Sequence, residues 1–288
     1  MADDTPLRGK TIVITGATSG IGEVAAMHLA ARGARLVLVA RDSERAARTL
    51  ERLAPPAGAA GHGVHLADLS VIGEMKRVGT AIAAAEPRID VLINNAGAVF
   101  MGHERTVDGL GATFATNHLP YYVLTLLLLP RLRATPSARI VCTASNAHTY
   151  GKFDLTDLDA NGVAGYARSK LENLLFVRRL AQLLGAGTVT INAHHPGFVA
   201  TRIAENTAWL WRTAMRVRKA MRGLTPEEGA RTLLYLAEAP ELANCTGGYY
   251  VRCALAQPAP QALNDADALA LWRLSAQLTG LDLPPRAA

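Results

Sequence analysis

Tyr166 and Lys170 lie four residues apart in the segment Tyr-Ala-Arg-Ser-Lys, within an apolar stretch of helical period. On a helix, residues at this spacing project from the same face, so the phenol and the ammonium should lie close together. A phenol with a pKa near about 10 transfers protons poorly at neutral pH, but a neighbouring ammonium favours the phenolate and lowers that pKa. The pair is a candidate for proton transfer, although the spacing alone also suits an ordinary helix surface.

A second chemical signal is the glycine-rich segment Thr15-Gly16-Ala17-Thr18-Ser19-Gly20-Ile21-Gly22, which follows a short apolar run. Glycines between a strand and a helix allow a tight turn, and the N–H groups at the start of the helix attract phosphate. The segment therefore predicts a dinucleotide site at a strand-to-helix turn. The residues assigned to it are Gly16, Thr18, Ser19, Gly20, Ile21 and Gly22.

Three motifs occur in order along the chain: the glycine-rich turn, Asn94-Asn95-Ala96-Gly97, and Tyr166 with Lys170. Together they resemble the short-chain dehydrogenase/reductase superfamily, and the resemblance covers nearly the whole chain. It implies a Rossmann-type, doubly wound parallel sheet. It also implies hydride transfer between a nicotinamide and the carbon of a carbonyl or a secondary alcohol.

Two further features look most like the retinol-dehydrogenase-like branch of that superfamily. The 20 residues between Ser145 and Tyr166 form a longer gap than many relatives have, and the gap contains Asp154-Leu155-Thr156-Asp157-Leu158. The second feature is the ending Leu271-Trp272-Arg273-Leu274-Ser275, followed by Gly280-Leu281.

The resemblance implies catalytic roles for four residues. In reduction, Tyr166 would donate a proton to the developing alkoxide while Ser145 hydrogen-bonds the same oxygen. Lys170 would bind the nicotinamide ribose and lower the pKa of Tyr166. The backbone of Asn117 would hold a water molecule that links the lysine to solvent. Taken singly, a buried serine or a helix-capping asparagine would be unremarkable.

The resemblance also implies a larger set of cofactor contacts. Asp68 would hydrogen-bond the adenine amino group, with a helix N-cap as the alternative for this residue. Asn94 to Gly97 would stabilise the central sheet beside the adenine ribose, and Thr201 would bind the nicotinamide carboxamide. The implied residues, besides Tyr166 and Lys170, are Asp68, Leu69, Asn95, Ala96, Gly97, Pro196, Gly197, Val199 and Thr201.

The end of the second predicted strand indicates which nicotinamide cofactor is used. An NAD site needs a carboxylate there to bind the ribose hydroxyls, and that carboxylate would repel the extra phosphate of NADP. Here the strand ends at Ala40 and is followed by Arg41, whose guanidinium can pair with a phosphate dianion. Asp42 is the counter-evidence, and we expect it to cap the next helix instead. The sequence therefore predicts NADP(H), with a solvated loop arginine as the alternative.

Short β-branched or apolar runs alternate with alanine- and leucine-rich helical segments, which is the pattern of βαβ units around a parallel sheet. We predict one domain with a seven-stranded sheet over residues 1–252, and residues 253–288 as its C-terminal extension. Thr225-Pro226-Glu227-Glu228 predicts a capped helix start, and Asp265 to Leu278 a further helix ended by Gly280. The predicted strands are Thr11–Thr15, Arg35–Ala40, Gly63–Leu66, Val91–Asn94, Ala138–Thr143, Thr188–His194 and Tyr249–Val251.

Composition narrows the classes of function. Three cysteines without metal-ligand spacing favour a reducing compartment and no zinc site. No basic-then-apolar leader and no membrane-length apolar run are present, so a cytoplasmic protein is expected. The formal charge of +6 is mostly scattered arginine, which argues against a nucleic-acid partner.

The dense basic cluster lies between residues 209 and 222, where Trp209, Trp211, Met215 and Met221 alternate with arginines. We expect a lid near residues 200–224 over an apolar pocket, with a membrane-surface helix as the alternative. The substrate should be a bulky apolar carbonyl or alcohol.

Two predicted helical segments carry more apolar residues than packing on a single core would need: Tyr121 to Leu129 and Leu171 to Leu180. The resemblance implies a homodimer or homotetramer that forms through these two helices. A cofactor-binding sensor without turnover is the other functional class that fits this fold.

Overall fold

In the part of the chain that the structure describes, seven short strands run parallel through the centre and an eighth pairs antiparallel at one edge. The computed structural model describes residues 5–57, 60–197 and 224–283. The strands are β1 (Thr11–Thr15), β2 (Arg35–Ala40), β3 (Gly63–Leu66), β4 (Val91–Asn94), β5 (Ala138–Thr143), β6 (Val189–His195), β7 (Tyr249–Val251) and β8 (Ala254–Ala256). Their order is β3-β2-β1-β4-β5-β6-β7-β8. The order reverses between β1 and β4, and such a switch point opens a crevice at the carboxyl ends of the strands.

Helices cover both faces of the sheet. Those in the described ranges are α1 (Gly20–Ala31), α2 (Ser43–Arg52), α3 (Ile72–Ala85), α4 (Ala112–Asn117), α5 (Leu119–Arg133), α6 (Gly162–Leu184), α7 (Pro226–Glu238) and α8 (Asp265–Thr279). On β1, Val13 belongs to the core under α3, α5 and α6, whereas Ile12 and Ile14 belong to the core under α1 and α7. This burial on both faces explains the continuous apolar strands and confirms the doubly wound parallel fold.

The prediction of seven strands is wrong by one. Val251 pairs with Ala254 across a two-residue turn, so β7 and β8 form a hairpin. Arg252 and Cys253 carry the turn with φ values of 52° and 61°. Positive φ at both central positions normally selects Asn or Gly, and β8 has no β-branched residue, so the sequence lacks both usual hairpin signals.

The predicted helix start at Thr225 is confirmed as a reciprocal capping box. The Thr225 hydroxyl accepts a hydrogen bond from the N–H of Glu228 at 3.2 Å. The carboxylate of Glu228 in turn accepts from the Thr225 N–H at 2.8 Å. Across the residues that the structure describes, no helix combines the length and apolarity needed to cross a membrane.

The C-terminal helix α8 packs over the outer faces of α5 and α6. The ring of Trp272 stacks on Phe176 at 6.2 Å between centroids and meets Tyr122 edge-on at 4.9 Å. Asn264 caps α8, and Gly280 ends it in the left-handed conformation, as the sequence predicted. Part of the apolar surface on which self-association was expected, around Tyr122 and Phe176, is therefore in contact with the chain's own C-terminal helix.

Candidate active site

The turn between β1 and α1 needs glycine at two positions. Gly16 has φ of +69°, and a Cβ on it would lie 3.0 Å from the Cα of Ala96. A Cβ on Gly22 would lie only 2.3 Å from the carbonyl oxygen of Gly16. Ser19 precedes α1 without a side-chain capping bond, so the first N–H groups of the helix stay open to a ligand. The assigned residues Gly16, Thr18, Ser19, Gly20, Ile21 and Gly22 all lie in this turn or in the first turn of α1. Such a backbone cradle fits a pyrophosphate.

The segment after β4 is hydrogen-bonded to this glycine turn. The hydroxyl of Thr15 accepts from the N–H groups of Asn95 and Ala96 at 2.9 and 3.0 Å. The Asn95 side-chain amide donates to the carbonyls of Thr15 and Gly16 at 3.1 and 3.3 Å. These bonds hold the two segments together, as the architectural interpretation of this motif predicted.

Arg41 and Asp42 follow β2 at the same sheet edge. Arg41 is exposed, and its guanidinium has no hydrogen-bond or ion-pair partner within the described ranges. Asp42 caps α2, because its carboxylate accepts from the N–H of Arg45 at 3.0 Å. That backbone bond lowers the pKa of Asp42. The expected capping role of Asp42 is confirmed, and Arg41 is free to meet an anion.

Asp68 does not cap a helix, so that alternative is wrong. One of its oxygens accepts from the N–H and the hydroxyl of Ser70 at 2.9 and 2.8 Å. Helix α3 begins later, and the N–H of Ile72 donates to the carboxylate of Asp108 at 2.8 Å. Leu69 beside it is buried. Asp68 thus sits in a local turn just beyond the carboxyl end of β3.

Tyr166 and Lys170 project from one face of α6 toward the end of β5, as predicted. The ammonium of Lys170 lies 5.4 Å from the centroid of the Tyr166 ring. It also donates to the carbonyl of Thr143 at 3.2 Å. Ser145, two residues further on, accepts from the N–H of Ala147 at 3.2 Å, and its hydroxyl also hydrogen-bonds the phenol of Tyr166. The structure thus brings Ser145, Tyr166 and Lys170 to one place. Asn117 lies beside them, since a Cβ on Gly97 would be 3.3 Å from its Oδ1 and 3.5 Å from Nζ of Lys170.

Burial controls the acidity of this cluster. It raises the pKa of Tyr166 to about 12, and a hydrogen bond with the Ser145 hydroxyl partly opposes the rise. Burial also lowers the pKa of Lys170 to about 8. The sequence predicted a lower pKa for Tyr166 because of the ammonium nearby. In the folded protein the pKa of Tyr166 is raised instead, since the cost of removing the phenolate from water outweighs its attraction to the lysine.

Asn117 lies at the break between α4 and α5. Pro120 has no N–H for a continuous helix, and the N–H of Tyr121 bonds the carbonyl of His118 at 3.0 Å. The Asn117 side chain accepts from the Ala98 N–H at 2.8 Å and donates to the Ala98 carbonyl at 2.9 Å. It also donates to the hydroxyl of Ser169 at 3.0 Å. The side chain therefore links the segment after β4 to α6.

The turn at Asn117 is also tied to α8. The neighbouring His118 is buried, and its Nε2 lies 2.9 Å from the hydroxyl of Ser275. That hydroxyl lies 2.9 Å from the carbonyl of Leu271, to which it donates. The imidazole is then the donor of the first bond, because a hydroxyl has one hydrogen to give. Burial lowers the pKa of His118 to about 3, so it is neutral.

A buried ion pair anchors the long segment before Tyr166 to α6. Arg168 donates to the carboxylate of Glu172 at 2.9 Å, and both side chains are almost fully buried. Arg168 also donates to the backbone carbonyl of Asp157. The pair therefore fixes the loop that carries the Asp154–Leu158 motif.

Sequence reasoning missed two residues at the carboxyl ends of β5 and β6. Thr143 accepts at its carbonyl from Lys170, from the Tyr121 hydroxyl at 3.3 Å and from the Asn173 amide at 3.5 Å. Its hydroxyl lies 3.0 Å from Nε2 of His194. The available signal was a polar residue ending each of two neighbouring apolar strands.

The segment after β6 is described only in part. Pro196 and Gly197 follow the strand, and Gly197 has φ of +84°. A Cβ on Gly197 would lie 2.4 Å from the side chain of Leu224. Val199, Thr201 and the predicted lid up to residue 223 lie outside the described residues.

Known proteins are similar to this chain along most of its length. The family model for short chain dehydrogenases matches residues 10–209. Retinol dehydrogenase 14 of Homo sapiens is 35% identical, over 96% of this chain and 88% of its own. The crystal structure of an uncharacterized protein from Mycobacterium paratuberculosis is 32% identical, with a TM-score of 0.77 and 98% of each chain covered. An active-site complex of Pseudomonas aeruginosa RhlG with NADP is 27% identical, with a TM-score of 0.69 over 87% of this chain and 97% of that one. The chain belongs to the short-chain dehydrogenase/reductase family, in its retinol-dehydrogenase-like branch.

Proposed function

We propose that this chain is an NADP(H)-dependent oxidoreductase that interconverts a carbonyl and an alcohol on a bulky apolar substrate, with Tyr166 as general acid and base. The observation that carries the proposal is the meeting of Tyr166, Lys170 and Ser145 at the sheet edge that also holds the glycine turn. Family membership supports carbonyl and alcohol chemistry in general. The roles named here are those that the family resemblance implies, and the geometry is consistent with them.

The proposed chemistry divides between cofactor and chain. A bound nicotinamide would supply hydride in reduction and accept it in oxidation. In reduction, Tyr166 gives its phenolic proton to the substrate oxygen as that oxygen gains negative charge. In our proposal Ser145 donates its O–H to the same oxygen. The ammonium of Lys170 stabilises the phenolate that remains, since it lies 5.4 Å from the ring centroid.

Our preference for NADP(H) rests on the residues after β2. The strand ends at Ala40 rather than at a carboxylate, and the exposed Arg41 has no partner within the described ranges. The nearby carboxylate of Asp42 is engaged in capping α2. A free guanidinium beside a ribose site favours a phosphate dianion. The solved complex of RhlG is described with NADP, which is consistent with this preference.

An apolar substrate is favoured by exposed side chains around Tyr166. Val163 lies on the same face of α6, three residues before Tyr166, and is 52% exposed. Tyr150, in the segment after Ser145, is 80% exposed. Exposed apolar side chains on the two segments that carry Ser145 and Tyr166 suit an apolar ligand. The similarity to retinol dehydrogenase 14 is consistent with this substrate class.

A direct test is cofactor oxidation by the purified protein with aromatic, long-chain, terpenoid and steroidal aldehydes and ketones. We expect turnover with NADPH at a kcat/KM well above that with NADH, and Arg41→Ala should remove much of that difference. Arg45→Ala is a matched control, because Arg45 lies on the outside of α2 and pairs with Asp42. Turnover restricted to small charged keto acids would refute the substrate class. Tight NADPH binding without turnover would favour a sensor instead.

A cytoplasmic location, self-association and the absence of a nucleic-acid partner complete the proposal. Several arginines are paired with carboxylates, among them Arg32 with Glu238 and Arg77 with Glu74, which breaks up the positive surface. The self-association that we propose uses α5 and α6, as the resemblance implies, and α8 packs against part of this surface. Light scattering after size exclusion measures the oligomeric state directly.

A further inference from the structure

Thr143 joins two parts of the candidate site that the proposed function treats separately. It is the last residue of β5, and His194 is its register partner on β6. Its hydroxyl lies 3.0 Å from Nε2 of His194 and 3.3 Å from Oδ1 of Asn95. Thr143 is 7% exposed and His194 is fully buried, so these contacts are shielded from water.

The direction of these hydrogen bonds follows from their partners. The Asn95 amide nitrogen donates to the carbonyls of Thr15 and Gly16, so its oxygen faces Thr143 as an acceptor. The Thr143 hydroxyl therefore donates to Asn95 and must accept from His194. This fixes His194 as the neutral tautomer with its proton on Nε2. Burial lowers the pKa of His194 to about 3, in agreement with a neutral ring.

The same residue holds the catalytic lysine through its backbone. The Thr143 carbonyl accepts from the ammonium of Lys170 at 3.2 Å. A side chain bonded on two sides leaves the adjoining peptide little freedom to rotate, so the carbonyl stays aimed at Lys170. One continuous path thus runs from His194 through Thr143 and Asn95 to the glycine turn, with Lys170 attached at its centre.

We propose that Thr143 is a positioning residue that couples the glycine turn to Lys170, with His194 as the buried donor that holds the Thr143 hydroxyl in place. The proposal rests on the proposed function, because it assigns Lys170 and the glycine turn to one cofactor site. In this proposal Thr143 contacts neither cofactor nor substrate. Its effect passes through Asn95 on one side and through Lys170 on the other.

The test compares Thr143→Val, Thr143→Ser and the double variant Thr143→Val with His194→Val. The readouts are the Kd for NADPH from cofactor fluorescence, kcat, KM and the melting temperature. Valine keeps the shape of threonine but removes the hydroxyl, so we expect the Kd for NADPH to rise by about 5- to 10-fold and kcat to fall. Serine keeps the hydroxyl and should stay within about twofold of the wild type.

The double variant separates positioning from simple loss of stability. Removing His194 as well eliminates the buried donor that Thr143→Val leaves unpaired, so stability should partly recover. NADPH binding should stay as weak as in the single variant, because the path to Asn95 remains cut. Thr125→Val is the matched control: Thr125 is fully buried and accepts from Asn94 at 3.0 Å, but its hydroxyl makes no hydrogen bond to Asn95 or Lys170 within the described residues. It should lose stability and keep its affinity for NADPH.

The coupling is refuted if Thr143→Val binds and turns over NADPH like the wild type, or if Thr143→Ser is as impaired as Thr143→Val. Recovery of NADPH affinity in the double variant would equally refute it, since stability would then explain the effect. NADPH binding needs no substrate, so a wild type that binds NADPH but turns nothing over defeats the proposed activity and leaves the coupling measurable. A wild type that binds neither nicotinamide would defeat both.

Discussion

The ammonium of Lys170 lies 5.4 Å from the ring centroid of Tyr166, one turn along the same helix. Burial acts on the two groups in opposite directions, raising the pKa of Tyr166 to about 12 and lowering that of Lys170 to about 8. Both shifts disfavour the charged forms. The site thus keeps a phenol protonated beside an ammonium that is held in the interior at an energetic cost.

Replacing Lys170 with Met should stabilise the fold and abolish turnover. The depressed pKa means that the folded state binds the lysine proton less tightly than the unfolded chain does, a displacement from 10.5 to about 8. This pKa displacement corresponds to a destabilisation of the folded state by roughly 3 kcal/mol. Methionine would relieve that cost but would also lose the hydrogen bond to Thr143, which offsets about 1 kcal/mol of the gain. We expect Lys170→Met to raise the free energy of unfolding by about 2 kcal/mol at pH 7.

The pH dependence checks the sign of that effect. The penalty is full below about pH 8 and disappears as the pH rises to about 10.5, where the lysine is neutral in both states. Urea unfolding of both proteins from pH 7 to 10 should therefore show the stability difference shrinking with pH. A difference that stays constant or grows would contradict the assignment.

Alcohol oxidation should accelerate with pH. Oxidation needs Tyr166 as phenolate, and its raised pKa leaves that form scarce at neutral pH. We expect log kcat/KM for oxidation to rise with a slope near 1 from about pH 7 to 9, while carbonyl reduction stays nearly flat over the lower part of this range. An oxidation rate already constant from pH 6 upward would mean that Tyr166 is not the base.

The buried pair of Arg168 and Glu172 should be sensitive to the loss of one partner. Burial raises the pKa of Glu172 to about 7 even beside the guanidinium. Glu172→Ala leaves Arg168 buried and unpaired, and we expect the free energy of unfolding to fall by about 3–5 kcal/mol. The double variant Arg168→Met with Glu172→Leu should recover much of this loss. Equal losses in the single and double variants would show that packing, not the unpaired charge, is responsible.

Removing the Trp272 side chain should expose the face of α5 and α6 that α8 covers. Trp272 is 5% exposed and contacts both Phe176 and Tyr122. We expect Trp272→Ala to lower the free energy of unfolding by about 3–5 kcal/mol. It should also increase self-association, measured by light scattering. Arg273→Ala, at an exposed neighbouring position, is the control. Unchanged stability in Trp272→Ala would mean that α8 is not a structural cover.

Local features of the fold and the site could be predicted from the sequence, whereas long-range contacts could not. The seven parallel strands, the glycine turn and the pairing of Tyr166 with Lys170 follow from local periodicity and spacing, and all were found. The contacts of Thr143 depend on the register between β5 and β6, which no local pattern encodes. The packing of α8 on α5 and α6 is likewise decided by tertiary structure. An apolar helix face in a sequence does not specify whether it packs within its own chain or against another chain. The β7–β8 hairpin lacked its usual turn residues.

The central claim, that Tyr166 transfers the proton, is tested most directly by single-turnover reduction of an apolar aldehyde by Tyr166→Phe and by the wild type. Both proteins should bind NADPH with similar Kd, because phenylalanine keeps the ring and Lys170 stays in place. We expect the rate of the variant to fall by at least about 10²- to 10⁴-fold, as for loss of a general acid. A Tyr166→Phe protein that reduces the aldehyde at the wild-type rate would contradict the account.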